Sequence, residues 1–352
     1  IMLRSFNMHE YPLNDELLAV ARAGAGTNNI PIPACTEKGI VVFNTPGANA
    51  NAVKELVICE LFLGGRKITD AIDWVKSLKG TEGISKAVEK GKSKFVGHEI
   101  LGKTLGVVGL GAIGVLVANT AANLGMNVLG YDPYLSVQAA LHLDNRVKTA
   151  DLDTVLRQSD FITVHVPLTP STDKMFNADA FAKMKEGSVL INNSRGELTD
   201  EDAVIAAVES GKLERYITDF PSDKLIGVKN IICVPHLGAS TPEAEDNCAA
   251  MAAQELVDYI ENGNITHSVN FPDVSAPRSS VSRLAIMHGN VEGAISAITS
   301  IISGNNINIA NIIDKSKGEK AYMLLDLDTK PSDKIIDEIK KLDSVIRVRI
   351  FD

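Results

Sequence analysis

Arg195, Asp223 and His236 are the side chains in this sequence best suited to moving a proton beside a carboxylate. Arg195 follows the apolar run at 188–193 and precedes a glycine. His236 follows the run at 231–234 and a proline. A guanidinium at the end of a buried strand can fork onto a carboxylate or a carbonyl. An imidazole in the same crevice can take or give a proton. A carboxylate bonded to its second nitrogen would fix the tautomer and stabilise the charged form. Asp223 lies just before the histidine's strand and is the expected partner. His9, His98, His142 and His267 lack such a setting and read as structural or exposed.

A second constellation lies upstream. The run Gly109-Leu110-Gly111-Ala112-Ile113-Gly114 follows a short apolar strand at 105–108 and opens a helix over 115–124. A second strand at 127–131 ends on Asp132, 18 residues past Gly114. Strand, GxGxxG, helix, strand and acid at this spacing point to a bound dinucleotide. Gly109 permits the tight turn, Gly111 lets backbone approach a pyrophosphate, and Gly114 lets helix pack on strand. The first helical turn, including Ala112 and Ile113, offers N–H groups to phosphate. Asp132 would accept from ribose hydroxyls and repel a 2′-phosphate, which favours NAD over NADP.

The elements that must position these groups alternate regularly. Apolar strands at 161–166, 188–193, 216–219 and 231–234 are separated by helical stretches. Near-continuous apolar strands imply a parallel sheet covered on both faces, with ligands at the strands' carboxyl ends. His165, Val166, Pro167, Asn193, Ser194, Arg195, Asp219 and His236 all fall at such ends.

The rest of the chain extends this plan. Strands at 18–22 and 40–43 and a helix at 52–64 form a second α/β unit, with a glycine-rich turn at 23–28 suited to holding an anion. Residues 77–94 are charged and glycine-dotted, and read as a solvated loop or an arm. A long helix covers 242–262, and a proline-bearing linker covers 270–278. Beyond it the order is strand 283–287, helix 293–303, strand 309–313, strand 321–328, helix 332–342 and strand 346–351. That is the ferredoxin-like split βαβ pattern. The expected fold class is therefore α/β: two Rossmann-like doubly wound parallel-sheet domains plus a C-terminal ferredoxin-like domain.

Composition narrows the function classes. The 352 residues carry a net charge of −9, which argues against a nucleic-acid partner. No apolar run approaches the ~18 residues needed to span a bilayer. Cys35, Cys59, Cys233 and Cys248 form no CxxC pair, so buried, reduced thiols and no metal site are expected. No signal peptide is expected, and a cytoplasmic location is expected with it. The chain opens on Ile1, so the numbering is expected to begin inside a longer protein.

The motifs His165-Val166-Pro167-Leu168-Thr169, Asn193-Ser194-Arg195-Gly196 and Pro235-His236-Leu237-Gly238-Ala239 resemble those of the D-isomer-specific 2-hydroxyacid dehydrogenases. The resemblance covers nearly the whole chain. It implies that Arg195 binds the substrate's carboxylate and carbonyl, that His236 is the general acid/base, and that Asp219 holds the nicotinamide carboxamide, with Gly238 and Ala239 beside it. It assigns Arg4, Ser5 and Asn49 to the substrate's phosphate or carboxylate, and Ala25 and Gly26 to backbone contacts. The tail resembles the ACT regulatory domain, with His288, Asn290 and Asn308 at positions that contact L-serine.

By resemblance, the substrate-binding domain is discontinuous, at 1–98 and 242–275. The NAD-binding domain is 99–241 and the ACT-like domain 280–352. The family's first strand and helix are expected to be missing. The implied reaction is NAD-dependent oxidation of D-3-phosphoglycerate, the first step of L-serine biosynthesis, in a homodimer or homotetramer. Alternatives are another D-2-hydroxyacid dehydrogenase, such as a hydroxypyruvate or glyoxylate reductase, and a dinucleotide-sensing binding protein. The sequence departs from the family at two places. The usual Glu-Pro step is Asp223-Lys224, and the tail's usual Pro-Gly step is Glu292-Gly293.

Overall fold

The structure, a computed structural model, describes residues 1–352. Near the N-terminus β1 (Met2–Leu3), β2 (Ala19–Arg22), α1 (Ile32–Glu37) and β3 (Val41–Asn44) build a small sheet in the order β1-β2-β3, all parallel. β-Branched and aromatic side chains explain the strands: Val41, Val42 and Phe43 are fully buried. Gly39 ends α1 in a left-handed conformation at φ +63, where a side chain would be strained.

Next come α2 (Ala50–Gly65), α3 (Ile68–Ser77) and α4 (Ile84–Gly91). The charged 77–94 stretch is thus partly helical. Gly91 allows the chain to pass Trp74, because a Cβ there would lie 2.2 Å from the indole. Trp74 stacks on Phe95 with ring centroids 5.2 Å apart.

The large sheet follows in chain order: β4 (Thr104–Val108), α5 (Ala112–Asn123), β5 (Asn127–Tyr131), α6 (Val137–His142), β6 (Lys148–Thr149), α7 (Leu152–Gln158), β7 (Phe161–Val164), α8 (Ala178–Lys183), β8 (Ser188–Asn192), α9 (Glu201–Glu209), β9 (Leu213–Thr218) and β10 (Ile231–Cys233). Its order is β10-β9-β8-β7-β4-β5-β6, and every pairing is parallel. The order reverses between β4 and β7, which opens a crevice at their carboxyl ends. One face packs α2 and α5 through Val57, Leu61, Val117 and Ala121; the other packs α7 to α9 through Leu156, Phe181 and Val204. Polar caps start several of these helices. Asp151 accepts from Thr154 N at 2.7 Å, and Asp200 accepts from Ala203 N at 3.2 Å.

α10 (Pro242–Asn262) leads to the tail: β11 (Ser282–Gly289), α11 (Ala294–Gly304), β12 (Ile309–Lys317), β13 (Lys320–Leu327), α12 (Asp333–Lys340) and β14 (Val345–Phe351). The antiparallel sheet runs β12-β13-β11-β14. One face carries α11 and α12, whose Ile298 and Ile339 share a core with Leu284, Ile286 and Leu325 of the sheet. The other buries Met287, Tyr322, Leu324 and Phe351 against Phe43, Tyr259 and Phe271. Arg283 is fully buried, reaching both oxygens of Asp326 at 2.6 and 3.0 Å and the carbonyls of Ala276 and Pro277.

Packing divides the chain into two compact units, 1–48 with 245–352, and 49–244. The tail is therefore not a free-standing third body. Phe271 and Val274 of the linker are fully buried, and Val274 pairs with Ile265. Residues 49–98 join the large sheet because the buried stripe of α2 packs on it.

The expected burial of the thiols holds only in part. Cys35 and Cys248 are buried, Cys233 is half-buried, and Cys59 is exposed because it lies on the outer face of α2. No group of three or more His, Cys, Asp or Glu residues is arranged to hold a metal. No helix is long and apolar enough to cross a membrane.

Candidate active site

β4 feeds directly into the glycine loop. Gly109 sits at φ +97, and a Cβ there would meet His165 O at 2.6 Å. A Cβ on Gly114 would lie 1.9 Å from Gly109 O. Those two glycines are required by packing. Gly111 differs, since a Cβ there would meet nothing within 4 Å, so backbone is presented to open space. It is the N-cap of α5 and offers no side-chain cap to Ala112, Ile113 and their neighbours, which leaves N–H groups for a ligand. Asp132 closes β5 and fixes the loop, with Oδ2 accepting from Leu110 N at 2.9 Å and Oδ1 from Tyr134 N at 2.8 Å. These features fit a dinucleotide's pyrophosphate and ribose.

Four strand ends supply the chemistry. After β7, His165 bonds through Nε2 to Thr163 Oγ1 at 3.0 Å. Burial pushes its pKa down to about 3, so it is neutral. Val166 and Pro167 follow it. After β8, Asn192 accepts from Ser194 N at 3.2 Å and donates to Arg195 O at 2.8 Å. Ser194 Oγ donates to Val164 O at 2.7 Å. The turn is latched on both sides, while the exposed Arg195 guanidinium donates only to Ser194 O and meets no carboxylate.

After β9, Asp219 is buried at 1 % exposure. Its carbonyl accepts from His236 N at 2.9 Å, and its Oδ2 accepts from Gly238 N at 3.2 Å. Burial raises the Asp219 pKa, against the Gly238 N–H and the charges of His236 and Arg195. His236 itself lies after β10 in a left-handed conformation at φ +44, which costs a non-glycine residue roughly 1 kcal/mol or more. Its exposed ring rests on Phe220, centroids 4.8 Å apart. Ala239 follows at the edge of the same loop.

The expected Asp223–His236 pair is not formed. Histidine–carboxylate pairs join His98 to Glu214, His267 to Glu255 and His288 to Asp314; His236 is in none of them. The turn after Pro221 closes with Leu225 N and Ile226 N on Ser222 O, and Leu225 is buried. That leaves Asp223 exposed, and Lys224 turns away to Asp202 at 2.7 Å. The carboxylate near His236 is Asp219 instead.

Glu60 was not expected. On α2 it follows the buried stripe Val53, Val57, Leu61 and Gly64, and is 1 % exposed. Its Oε2 accepts from Asn193 Nδ2 at 2.6 Å. Burial drives its pKa up to about 8, opposed by the Asn193 bond and reinforced by the Asp219 charge. An acid in the register of an apolar helical stripe was the available signal.

The other candidates divide between the two units. Asn49 caps α2 through its backbone, accepting from Val53 N at 3.3 Å. In the other unit, Arg4 follows β1 and pairs with Glu245 at 3.1 Å; Ser5 beside it is exposed. The turn with Ala25 and Gly26 follows β2, and Asn44 Nδ2 donates to Ala25 O at 2.7 Å. These residues share the carboxyl end of the small sheet.

In the tail, His288 is buried with both ring nitrogens occupied, Nε2 by Asp314 at 2.9 Å and Nδ1 by Gly289 O at 2.8 Å. It is a structural residue with no nitrogen left for a ligand. Asn290 donates to Gly318 O and Asn308 to Asp328. In the register of β13, His288 lies opposite Ala321 and Ile309 opposite Leu327, so Asn308 sits about 20 Å away at ~3.3 Å per residue. One copy does not bring the three together. A cavity of about 540 Å³ lies by the α11 N-terminus, lined by Glu292, Gly293, Lys320, Asp343 and Ser344 among others.

Residues 65–238 match the D-isomer specific 2-hydroxyacid dehydrogenase NAD binding domain, and residues 284–347 match an AHAS small subunit-like ACT domain. The chain is 33% identical over 351 residues to D-3-phosphoglycerate dehydrogenase of Haemophilus influenzae, covering 96% of this chain and 82% of that protein. It is 34% identical over 353 residues to D-3-phosphoglycerate dehydrogenase 1 of Saccharomyces cerevisiae, covering 93% and 72%. Its fold aligns with Lactobacillus jensenii D-lactate dehydrogenase with NAD+ at a TM-score of 0.59 and 27% identity, covering 73% and 78%. By these matches the chain belongs to the NAD-dependent D-isomer-specific 2-hydroxyacid dehydrogenases and carries a C-terminal ACT domain.

Proposed function

We propose that the protein oxidises D-3-phosphoglycerate to 3-phosphohydroxypyruvate with NAD and so opens L-serine biosynthesis. The observation that carries this reading is the match along 96% of the chain to relatives named for that substrate. The bound nicotinamide supplies the acceptor for the C2 hydride. His236 takes the C2 hydroxyl proton, and its ring is exposed. Arg195 holds the substrate carboxylate and polarises the developing carbonyl. Asp219 would hold the carboxamide, and His165, Val166, Pro167, Asn193, Ser194, Gly238 and Ala239 would line the nicotinamide's place. Arg4, Ser5 and Asn49 hold the phosphate or carboxylate, aided by the Ala25–Gly26 backbone. In this reading residues 1–98 and 242–275 serve the substrate, and 99–241 serve NAD.

The ACT domain binds a small molecule, and L-serine is the proposed effector. The lining of the 540 Å³ cavity supports this reading: Lys320 and the α11 N-terminus suit a carboxylate, and Glu292 and Asp343 suit an ammonium. Asn308 would complete that site only from a second copy, so a homodimer or homotetramer in the cytoplasm completes the proposal. Absorbance at the NADH band, over a panel of D-2-hydroxy acids and their phosphates, tests it. Selective turnover of D-3-phosphoglycerate is expected. Preference for an unphosphorylated acid would favour a reductase of glyoxylate or hydroxypyruvate.

A further inference from the structure

Glu60 Oε1 and Asn193 Oδ1 are both buried without a donor, although the two side chains already touch through Asn193 Nδ2, which donates to Glu60 Oε2 at 2.6 Å. Each unpaired buried polar atom costs about 1–3 kcal/mol. A protonated Glu60 resolves both at once, its O–H donating to the amide oxygen of the side chain whose N–H it already accepts. We propose that Glu60 is a positioning residue of the dehydrogenase site, whose protonated carboxyl group fixes the Asn193 side chain and supplies the hydrogen-bond donor that its amide oxygen lacks.

The assignment of the proton to Glu60 follows from its neighbours. α2 packs on α5, β8 and β9. α5 and β8 contain no titratable residue, and the three on β9 are engaged elsewhere, Glu214 with His98, Arg215 with Asp70 and the Tyr216 hydroxyl with Thr199. Glu60 therefore faces Asp219 as its one charged neighbour and has no cation of its own. Asp219 faces both Arg195 and His236, which favour its ionised form. Of two interacting acids, the one without a cation keeps the proton.

The influence on chemistry runs through backbone. Asn193 lies between β8 and the Arg195 turn, and Asp219 holds the N–H groups of His236 and Gly238. Glu60 thus acts on both reactive side chains and contacts neither. This rests on the site roles proposed above.

The test uses the full chain with Glu60→Gln and Glu60→Ala. Gln keeps the neutral acid's shape and its donor, whereas Ala removes both. Expected is near-wild-type kcat at neutral pH for Gln and a loss of about 10- to 100-fold for Ala. The wild-type rate should fall as pH rises through about 8, where Glu60 ionises, and Glu60→Gln should lack that fall. A readout independent of turnover is the infrared band of a protonated carboxyl in cofactor-free protein. The component that titrates away near that pH should be missing in Glu60→Gln, while the Glu255 component, pushed by burial up to about 7, stays in both. A component near pH 8 that persists in Glu60→Gln, or an unchanged pH profile in that variant, overturns the proposal. The band still assigns the proton if D-3-phosphoglycerate is not the substrate, so the two readings fail separately.

Discussion

Asp219 grips the His236 loop at two points, its carbonyl on His236 N at 2.9 Å and its carboxylate on Gly238 N at 3.2 Å. This grip helps hold the histidine in its left-handed conformation. It also places a negative charge near the imidazole that Asp223 does not supply. The proton-transfer group is thus supported from β9, on a shorter lever than the loop acid would give.

Asp219→Asn keeps the side chain's shape and removes the charge. A nearby carboxylate stabilises an imidazolium, so its loss should shift the acid limb of the pH–rate profile toward lower pH. A kcat loss of about 10-fold or more is expected. Asp223→Asn should leave the limb in place, since its carboxylate faces solvent. Profiles of kcat/KM for both variants check this, and a shift in Asp223→Asn alone would reverse the assignment.

Asp132→Ala should lower the preference for NAD over NADP by about tenfold or more, because the repulsion of a 2′-phosphate is gone. KM for NAD should rise as well, since Asp132 also ties down Leu110 N at 2.9 Å. Comparing kcat/KM for the two cofactors decides it.

Arg283→Met should be the most damaging change in the tail. It strands the buried Asp326 carboxylate, and breaking such a pair costs about 3–5 kcal/mol. Burial pushes the Asp326 pKa up, but Arg283 and Ser279 outweigh it and hold the value below the usual range. A lowered folded pKa gives stability that is present above the unfolded value and lost as pH falls through the folded one. Denaturation of wild type should therefore show this loss in acid, and the variant should be weaker at neutral pH.

His288 runs the opposite way. Burial opposes its charge, yet Asp314 and Gly289 O raise its pKa overall. Stability from a raised histidine is complete below the unfolded pKa and lost as pH rises through the folded one. His288→Gln should flatten that decline and lower stability at pH 6 by about 1–3 kcal/mol, with or without L-serine. Melting temperatures against pH measure it.

Local order was readable from the sequence. The glycine loop, the Asp132 spacing and the strand ends holding Arg195 and His236 depend on short-range periodicity and appear where expected. The expected Asp223–His236 pair does not form, because the fold of a six-residue turn is set by burial of Leu225 and by the Lys224–Asp202 pair. Glu60 and Asn193 are far apart in sequence, so their contact emerges only when α2 packs on the sheet. The tail's docking was hidden for the same reason. Its second face reads as ordinary strand alternation until Tyr322 and Phe351 meet Phe43 and Tyr259.

The most direct test is the initial rate of NADH formation from NAD and D-3-phosphoglycerate, in wild type and in His236→Ala. Robust turnover is predicted for wild type, with a loss of about 10²- to 10⁴-fold in kcat for the variant while NADH still binds. No NADH from D-3-phosphoglycerate in wild type, or an undiminished kcat in His236→Ala, would contradict the account.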